Sequence, residues 1–243
     1  MIPLVMLHGW GVGAPVFDVL REHCAAARDA RAVDLPGYGA AQTCEPYTLE
    51  ALADRVSADA PPQCGVIGWS LGAQVALAWA QARPEQVTSL ALIAATPCFV
   101  QRDDWPCAME RRVFESFAAS LEQDLTATLA RFCALQAHGA DDARSTNRRL
   151  RAALDASGAP DGHALKGGLR VLLKRDLRPD LPTVAQRALV VHGACDALVP
   201  PPAAAFLAQT LPRARLERIA GAAHAPFVSA PQRVGALLEE FFK

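Results

Sequence analysis

Short apolar runs alternate with longer helix-forming stretches along most of the chain. The runs have the length of strands and lie at residues 4–7, 30–33, 65–67, 90–94 and 188–191. Continuous apolar runs of this kind are typical of strands buried on both faces, and the stretches between them supply crossover helices. The pattern therefore predicts an α/β fold, with a mostly parallel sheet and helices on both faces.

The pattern changes in the middle of the chain, where apolar residues recur at steps of three and four. These residues are Phe114, Phe117, Leu121, Leu125, Leu129, Phe132 and Leu135. Such spacing is typical of amphipathic helix, and Gly139 is placed to end the run. Because strand-like pattern resumes only at Ala188, we predict a core of residues 1–98 and 185–243 and a helical lid of residues 99–184. The lid would cover the carboxyl ends of the strands.

The composition narrows the class of protein. The 243 residues suit one large domain, 51% of them are apolar, and the formal net charge is -1. These values give no electrostatic preference for nucleic acid or membrane. The first apolar run is too short for a signal-peptide core and has no basic leader, and the seven cysteines form no C-x-x-C pair. We expect a cytoplasmic monomer without nucleic-acid or membrane partners and without metal.

One serine lies between two glycines directly after a strand-like run. The pentapeptide Gly68-Trp69-Ser70-Leu71-Gly72 is followed by a helix-forming stretch, residues 73–83. In a G-x-S-x-G turn, the glycines leave room for a tight bend that lifts the serine hydroxyl above the sheet. The alternative is an ordinary strand end. The strand before and the helix after favour a nucleophile at Ser70.

A serine nucleophile needs a base, and the base needs a partner that fixes its tautomer. Asp196 lies in the loop after the run at 188–191, and His224 follows another strand-like run at 216–219. Either residue alone is more simply read as a loop or structural residue. Together, the order Ser70, Asp196, His224 at three strand ends predicts a catalytic triad.

The first strand-like run leads into a glycine-rich segment, His8-Gly9-Trp10-Gly11. A segment of this kind supplies backbone N–H groups for the oxyanion that forms during acyl transfer. We predict that the amides of Trp10 and Leu71 form this pair. A glycine-rich turn with a packing tryptophan is the alternative.

Five motifs are spread along the chain: HGWG at 8–11, DLPGYG at 34–39, GWSLG at 68–72, DALVP at 196–200 and AAHAPF at 222–227. Together they resemble the motifs of α/β-hydrolase carboxylesterases and, more closely, those of the pimeloyl-acyl-carrier-protein methyl ester esterases of biotin synthesis. Residues 97–99, 104–106, 131–136 and 167–169 are also similar to the lid of that family. The resemblance covers nearly the whole chain and implies the α/β-hydrolase fold.

The resemblance also implies a reaction: hydrolysis of the methyl ester at the end of a pimeloyl chain carried on acyl carrier protein. Ser70 would attack the ester carbonyl, His224 would move its proton to methanol, and Asp196 would orient His224. Neither a cofactor nor a metal is implied. The substrate-binding positions carried over from the family are Trp10, Ser70, Leu71, Phe132, Cys133, Ala134, Leu135, Gln136 and His224. Core packing explains Phe132 and Leu135 equally well.

Basic residues at Arg131, Arg144 and Arg148 correspond to the carrier-protein contacts of the family. Arg144, Arg148 and Arg151 share one helical face, which could meet an acidic carrier and its phosphopantetheine or could simply be solvated. The chain departs from the family at two places, of which the first weakens part of the expected carrier contact. Ala127 stands where another arginine is expected, and the chain opens on the strand before His8 without the preceding strand segment, so an edge strand is expected to be missing.

Other functions remain open at the level of sequence. The same nucleophile and oxyanion hole also serve general short-chain carboxylesterases and carbon–carbon hydrolases. A haloalkane dehalogenase is disfavoured because its chemistry needs a carboxylate where Ser70 stands. A small-molecule receptor with a hydrolase fold is the alternative from another class, and it differs from an enzyme in lacking sustained turnover.

Overall fold

The computed structural model describes residues 2–243, which form one sheet of six strands. The strands are β1 (Leu4–Leu7), β2 (Arg31–Val33), β3 (Cys64–Trp69), β4 (Val87–Ile93), β5 (Arg187–Gly193) and β6 (Ala214–Ile219). Their order is β2-β1-β3-β4-β5-β6, and every neighbouring pair of these strands is parallel. The predicted α/β class is confirmed, and the strands β3 to β6 extend beyond the predicted apolar runs.

Helices cover both faces of the sheet. Outside the segment between β4 and β5 they are α1 (Asp18–His23), α2 (Ala25–Arg28), α3 (Leu49–Ala58), α4 (Leu71–Ala82), α9 (Pro201–Thr210), α10 (Pro226–Ser229) and α11 (Pro231–Phe242). Side chains on β1 alternate between two cores, since Val5 and Leu7 join the core under α3 and α4 while Leu4 and Met6 join that under α1 and α11. Because both faces are covered, the strands expose their chemistry only at their ends.

Four further helices lie between β4 and β5. They are α5 (Arg111–Gln123), α6 (Leu125–Ala137), α7 (Ala143–Ser157) and α8 (Gly162–Lys174). The apolar run read from the sequence as one helical segment is divided at Asp124, whose carboxylate accepts a hydrogen bond from the Ala127 amide at 2.9 Å and begins α6. None of the helices within residues 2–243 combines the length and apolarity required to cross a membrane.

Two glycines let α8 pack closely on the rest of the molecule. A Cβ at Gly167 would lie 2.5 Å from the ring of Tyr47, and a Cβ at Gly168 would lie 2.7 Å from the ring of Trp10. The Trp10 Nε1–H also donates to the Leu165 carbonyl at 2.9 Å. The glycine pair in the 167–169 motif is therefore explained by the close approach of α8 to the loop after β1.

Candidate active site

Ser70 occupies the sharp turn between β3 and α4. Its backbone has φ 55° and ψ -116°, a conformation that residues with a side chain seldom adopt. A Cβ at Gly68 would lie 2.6 Å from the Gly72 carbonyl oxygen, and a Cβ at Gly72 would overlap the Leu7 carbonyl oxygen. The two glycines therefore allow the turn, and the turn raises the Ser70 hydroxyl above the carboxyl end of the sheet.

Three polar side chains form a hydrogen-bonded chain at this edge. His224 Nε2 lies 2.9 Å from Ser70 Oγ, and His224 Nδ1 lies 2.8 Å from Asp196 Oδ2. Since a carboxylate can only accept, Nδ1 carries the proton and the Nε2 lone pair faces the serine hydroxyl. His224 and Asp196 are buried, whereas Ser70 is partly exposed. This arrangement can remove the serine proton at the moment the hydroxyl attacks a carbonyl.

The carboxylate and the imidazole are both held by backbone groups. Asp196 Oδ1 accepts hydrogen bonds from the Leu198 and Val199 amides, each at 2.9 Å. The His224 amide donates to the Gln136 carbonyl at 3.1 Å, and the His224 carbonyl accepts from Trp69 Nε1 at 2.8 Å. The site is thus built from loops after β3, β5 and β6 and from one carbonyl of α6.

His8, at the end of β1, orders the start of the next loop. Its Nε2 accepts a hydrogen bond from the Leu35 amide at 2.9 Å, so the proton lies on Nδ1, which donates to the Gly9 carbonyl at 2.8 Å. Complete burial lowers the pKa of His8 to about 4, against the smaller raising effect of the bond to Gly9 and the charge of Asp34. His8 is therefore a neutral structural imidazole and not a second base.

The segment at 34–39 braces the same loop, a role that the sequence did not indicate. The Tyr38 hydroxyl accepts from the Gly11 amide at 3.1 Å, and Asp34 Oδ1 accepts from the Ala14 amide at 2.7 Å. Burial raises the pKa of Tyr38, so its hydroxyl stays protonated. In the sequence, the DLPGYG motif directly follows the strand-like run at 30–33. That position is the one signal that could have indicated the contacts of Tyr38 and Asp34 with the loop after β1.

The two predicted oxyanion donors have free amides. Within residues 2–243, neither the Trp10 amide nor the Leu71 amide donates a hydrogen bond to another protein group. Leu71 is the first residue of α4, where an N–H has no partner inside the helix. Both amides are therefore available to a ligand next to Ser70.

An apolar cavity of about 40 Å³ lies above Trp10. Its lining residues are Trp10, Phe99, Met109, Val113, Phe114, Phe117, Phe132, Leu135, Leu169, Leu172 and Leu198. The Trp10 ring contacts Phe132 edge to face, with centroids 4.9 Å apart. Val113 and Leu135 are 54% and 44% exposed, so the cavity meets the surface between α5 and α6.

The predicted substrate-binding residues of α6 separate into two groups. Phe132 and Leu135 line the cavity, whereas Cys133 packs in the core under α1 and α11 and Ala134 is exposed. Gln136 is buried, and its Nε2 has no hydrogen-bond partner within the described chain. The structure thus brings only part of the predicted segment to the cavity wall.

The predicted carrier contacts lie on the outer surface of α6 and α7. Arg131, Arg144 and Arg148 are exposed, and none of them forms an ion pair with an acidic residue among residues 2–243. Over the whole of residues 2–243, no group of three or more histidine, cysteine or acidic side chains is arranged to hold a metal ion.

Comparisons with known proteins place this geometry in a family. The model of the alpha/beta hydrolase family matches residues 4–237. A pimeloyl-[acyl-carrier protein] methyl ester esterase from Nitrosomonas europaea is 40% identical over 230 residues, covering 95% of this chain and 91% of that protein. The protein of the same name from Klebsiella pneumoniae is 41% identical over 228 residues, covering 94% and 88%.

A solved structure agrees at the level of fold. An esterase from Exiguobacterium antarcticum superposes with a TM-score of 0.87 at 22% identity, covering 99% of this chain and 91% of the other. At this identity the superposition shows a shared architecture alone. The match over residues 4–237 and the relatives at 40% identity show more: the chain belongs to the alpha/beta hydrolase family and groups there with relatives named pimeloyl-[acyl-carrier protein] methyl ester esterase.

Proposed function

We propose that this chain is a serine carboxylesterase that hydrolyses the methyl ester of pimeloyl-acyl carrier protein to pimeloyl-acyl carrier protein and methanol. The observation that carries the proposal is the hydrogen-bonded chain from Ser70 through His224 to Asp196, with distances of 2.9 and 2.8 Å. The choice of substrate is supported by the names of the relatives at about 40% identity. The proposed place of action is biotin synthesis in the cytoplasm.

The reaction follows from the positions of the protons. His224 Nε2 takes the proton of Ser70 Oγ as the oxygen attacks the ester carbonyl, and the oxyanion accepts hydrogen bonds from the Trp10 and Leu71 amides. Collapse of the tetrahedral intermediate breaks the bond to the methoxy group, which leaves as methanol with the proton from His224. Water then attacks the acyl-enzyme with the same base and releases the free carboxyl group.

The apolar cavity supports an acyl substrate. We propose that residues 99–184 act as a lid on a core of residues 1–98 and 185–243, and that the methylene chain lies among the aromatic residues over Trp10. Within residues 132–136, we assign Phe132 and Leu135, which line the cavity, as contacts of this methylene chain.

Acyl carrier protein is the proposed partner, and its binding surface follows from the arginines of α6 and α7. Carrier proteins present acidic side chains and a phosphate, for which exposed guanidinium groups are suitable donors. Arg131, Arg144 and Arg148 have no acidic partner of their own within residues 2–243 and are free to serve. The acyl chain would enter the cavity between α5 and α6.

The lining of the cavity favours a second candidate, a general carboxylesterase of short acyl chains, because all of its residues are apolar and none of them selects one acyl group by a hydrogen bond. The triad and the oxyanion donors serve both reactions equally. The two candidates differ in whether the lid and the arginines improve the reaction of the carrier-bound substrate.

The deciding experiment measures methanol release from pimeloyl-acyl-carrier-protein methyl ester and, in parallel, hydrolysis of p-nitrophenyl butyrate. We expect turnover of both esters, and a loss of about 10⁴-fold or more in kcat for Ser70→Ala, because the substitution removes the nucleophile. Hydrolysis of the short ester alone would support the second candidate. Absence of turnover on both would exclude the esterase proposal.

A further inference from the structure

A second buried histidine lies beside the triad. His192 is near the end of β5, is fully buried, and has Nε2 2.9 Å from the Val199 carbonyl oxygen. A carbonyl can only accept, so the proton is on Nε2. Its Nδ1 has no hydrogen-bond partner within residues 2–243, so Nε2 makes the polar contact of this side chain.

The bond from His192 closes a ring of contacts around Asp196. The Val199 amide donates to Asp196 Oδ1 at 2.9 Å, while the Val199 carbonyl accepts from His192. Both polar groups of Val199 are therefore held, one by the triad carboxylate and the other by His192. The remaining carboxylate oxygen, Asp196 Oδ2, lies 2.8 Å from His224 Nδ1 and 3.5 Å from His192 Nε2.

His192 keeps this single-donor form because of its surroundings. Burial is the largest effect and lowers the pKa of His192, as does the charge of Arg218, while Asp196 and the bond to Val199 act in the opposite direction. The neutral imidazole has one proton, and Val199 accepts it. A doubly protonated His192 ring would place a cation against the carboxylate that serves His224.

We propose that His192 is a positioning residue for the triad: its bond to Val199 holds the loop after β5 so that the Asp196 carboxylate stays against His224. The proposal rests on the proposed esterase function for its kinetic consequence. Its structural consequence, the geometry of the bond between Asp196 and His224, holds without a substrate.

The test uses two amide side chains of different reach. The amide nitrogen of glutamine matches the position of a histidine Nε2, and that of asparagine matches Nδ1. We therefore expect His192→Gln to retain the bond to Val199 and His192→Asn to lose it. For p-nitrophenyl butyrate, His192→Asn should lower kcat about tenfold with KM changed less than about twofold, because loss of one hydrogen bond disturbs orientation more than binding. His192→Gln should recover most of kcat.

Proton NMR reads the same contact directly. The Nδ1 proton of His224, strongly downfield when bonded to Asp196, should move upfield or broaden in His192→Asn and keep its position in His192→Gln. This signal also separates the two proposals. If the unaltered protein hydrolyses no ester, the proposed function fails, and the NMR comparison alone decides the role of His192.

Gln186→Leu is the matched control. Gln186 is also a buried polar residue, and its Nε2 donates a hydrogen bond to the Ala80 carbonyl at 3.1 Å. It directly precedes β5, at the opposite end of that strand from His192. We expect it to lower stability without changing kcat or the His224 signal. The proposal is overturned if His192→Asn leaves the His224 signal unchanged, or if Gln186→Leu changes the signal equally.

Discussion

Ser70 has a positive φ, at which the Cβ of its side chain is sterically strained against the backbone. Residues with a Cβ at positive φ are strained by about 1 to 3 kcal/mol, and the surrounding turn must supply that energy. The turn brings the hydroxyl to 2.9 Å from His224 Nε2. The proposed nucleophile is therefore positioned at a cost in stability.

This strain predicts a difference between two inactive variants. Ser70→Gly should unfold with a free energy about 1 kcal/mol higher than Ser70→Ala, because glycine adopts the turn without strain. Urea denaturation of both variants at one pH measures the difference. Equal stabilities would show that the turn is relaxed.

A second prediction concerns the buried imidazole of His8. Its pKa is lowered from 6.5 to about 4, so between these values the unfolded chain binds a proton that the folded protein does not. Stability should therefore fall as the pH falls from 6.5 towards 4, with up to about 3 kcal/mol from this group. His192 acts in the same direction.

The measurement compares urea unfolding at pH 7 and pH 4.5 in the unaltered protein and in His8→Asn. The asparagine amide keeps the donor to the Gly9 carbonyl and does not titrate. We expect the variant to be less stable at pH 7 but less sensitive to acid. An unchanged pH dependence would contradict the assigned cause.

At the residue level, the sequence predicted the members of the site better than their supports. Ser70, Asp196 and His224 were predicted from motif order, and the structure places them within hydrogen-bond distance. The supporting roles of Tyr38 and His192 depend on approaches between distant segments and on the tautomer of an imidazole. Neither of these leaves a periodic pattern in the chain.

Among the helices, α7 links the surface to the site. It carries Arg144 and Arg148 near one end, and at the other end Ser157 Oγ accepts from the Gly13 amide at 3.1 Å. Gly13 needs its small size there, since a Cβ would lie 2.7 Å from that oxygen. Gly13 belongs to the loop that carries the proposed oxyanion donor Trp10.

Removal of this hydroxyl should loosen the loop. Ser157→Ala is expected to reduce kcat/KM three- to tenfold and to lower the free energy of unfolding by about 1 kcal/mol, the typical net value of one hydrogen bond. The control is Ser120→Ala in α5, since Ser120 and Ser157 both bond to a carbonyl four residues earlier. If both variants lose the same activity, the contact with Gly13 has no special role.

At the level of elements, the strands were predictable from the sequence and the break between α5 and α6 was not. Alternating apolar runs predicted the strands because burial on both faces leaves a strong signal in sequence. The division between α5 and α6 was missed because apolar spacing continues across Asp124 while its side chain starts a new helix. A cap depends on one polar side chain and does not change the apolar period.

For the whole molecule, the net charge of -1 conceals an uneven distribution of charge. Exposed arginines that form no ion pair with an acidic residue among residues 2–243 lie on α6 and α7. Composition could not reveal this, because a sum over the chain carries no position. Only the fold places these charges on two helices that pack against each other.

We expect the double variant Arg144→Glu/Arg148→Glu to raise KM for the carrier-bound ester at least tenfold, while the kinetics of p-nitrophenyl butyrate stay unchanged. Charge reversal makes the surface repel an acidic partner, and added salt should reduce the difference. The control is Arg28→Glu/Arg213→Glu, at exposed positions near the amino ends of β2 and β6. An equal effect from the control would argue against a local docking surface.

Two contacts between the helices α6 and α8 and the loops of the candidate site use only the main chain of these helices. The Gln136 carbonyl accepts from the His224 amide, and the Leu165 carbonyl accepts from Trp10 Nε1. Any residue type except one that breaks the helix offers the same oxygen. A substitution at either position therefore keeps the acceptor, and its cost is confined to the buried side chain that it replaces. The helices can thus diverge in sequence among descendants while the candidate site keeps these two supports.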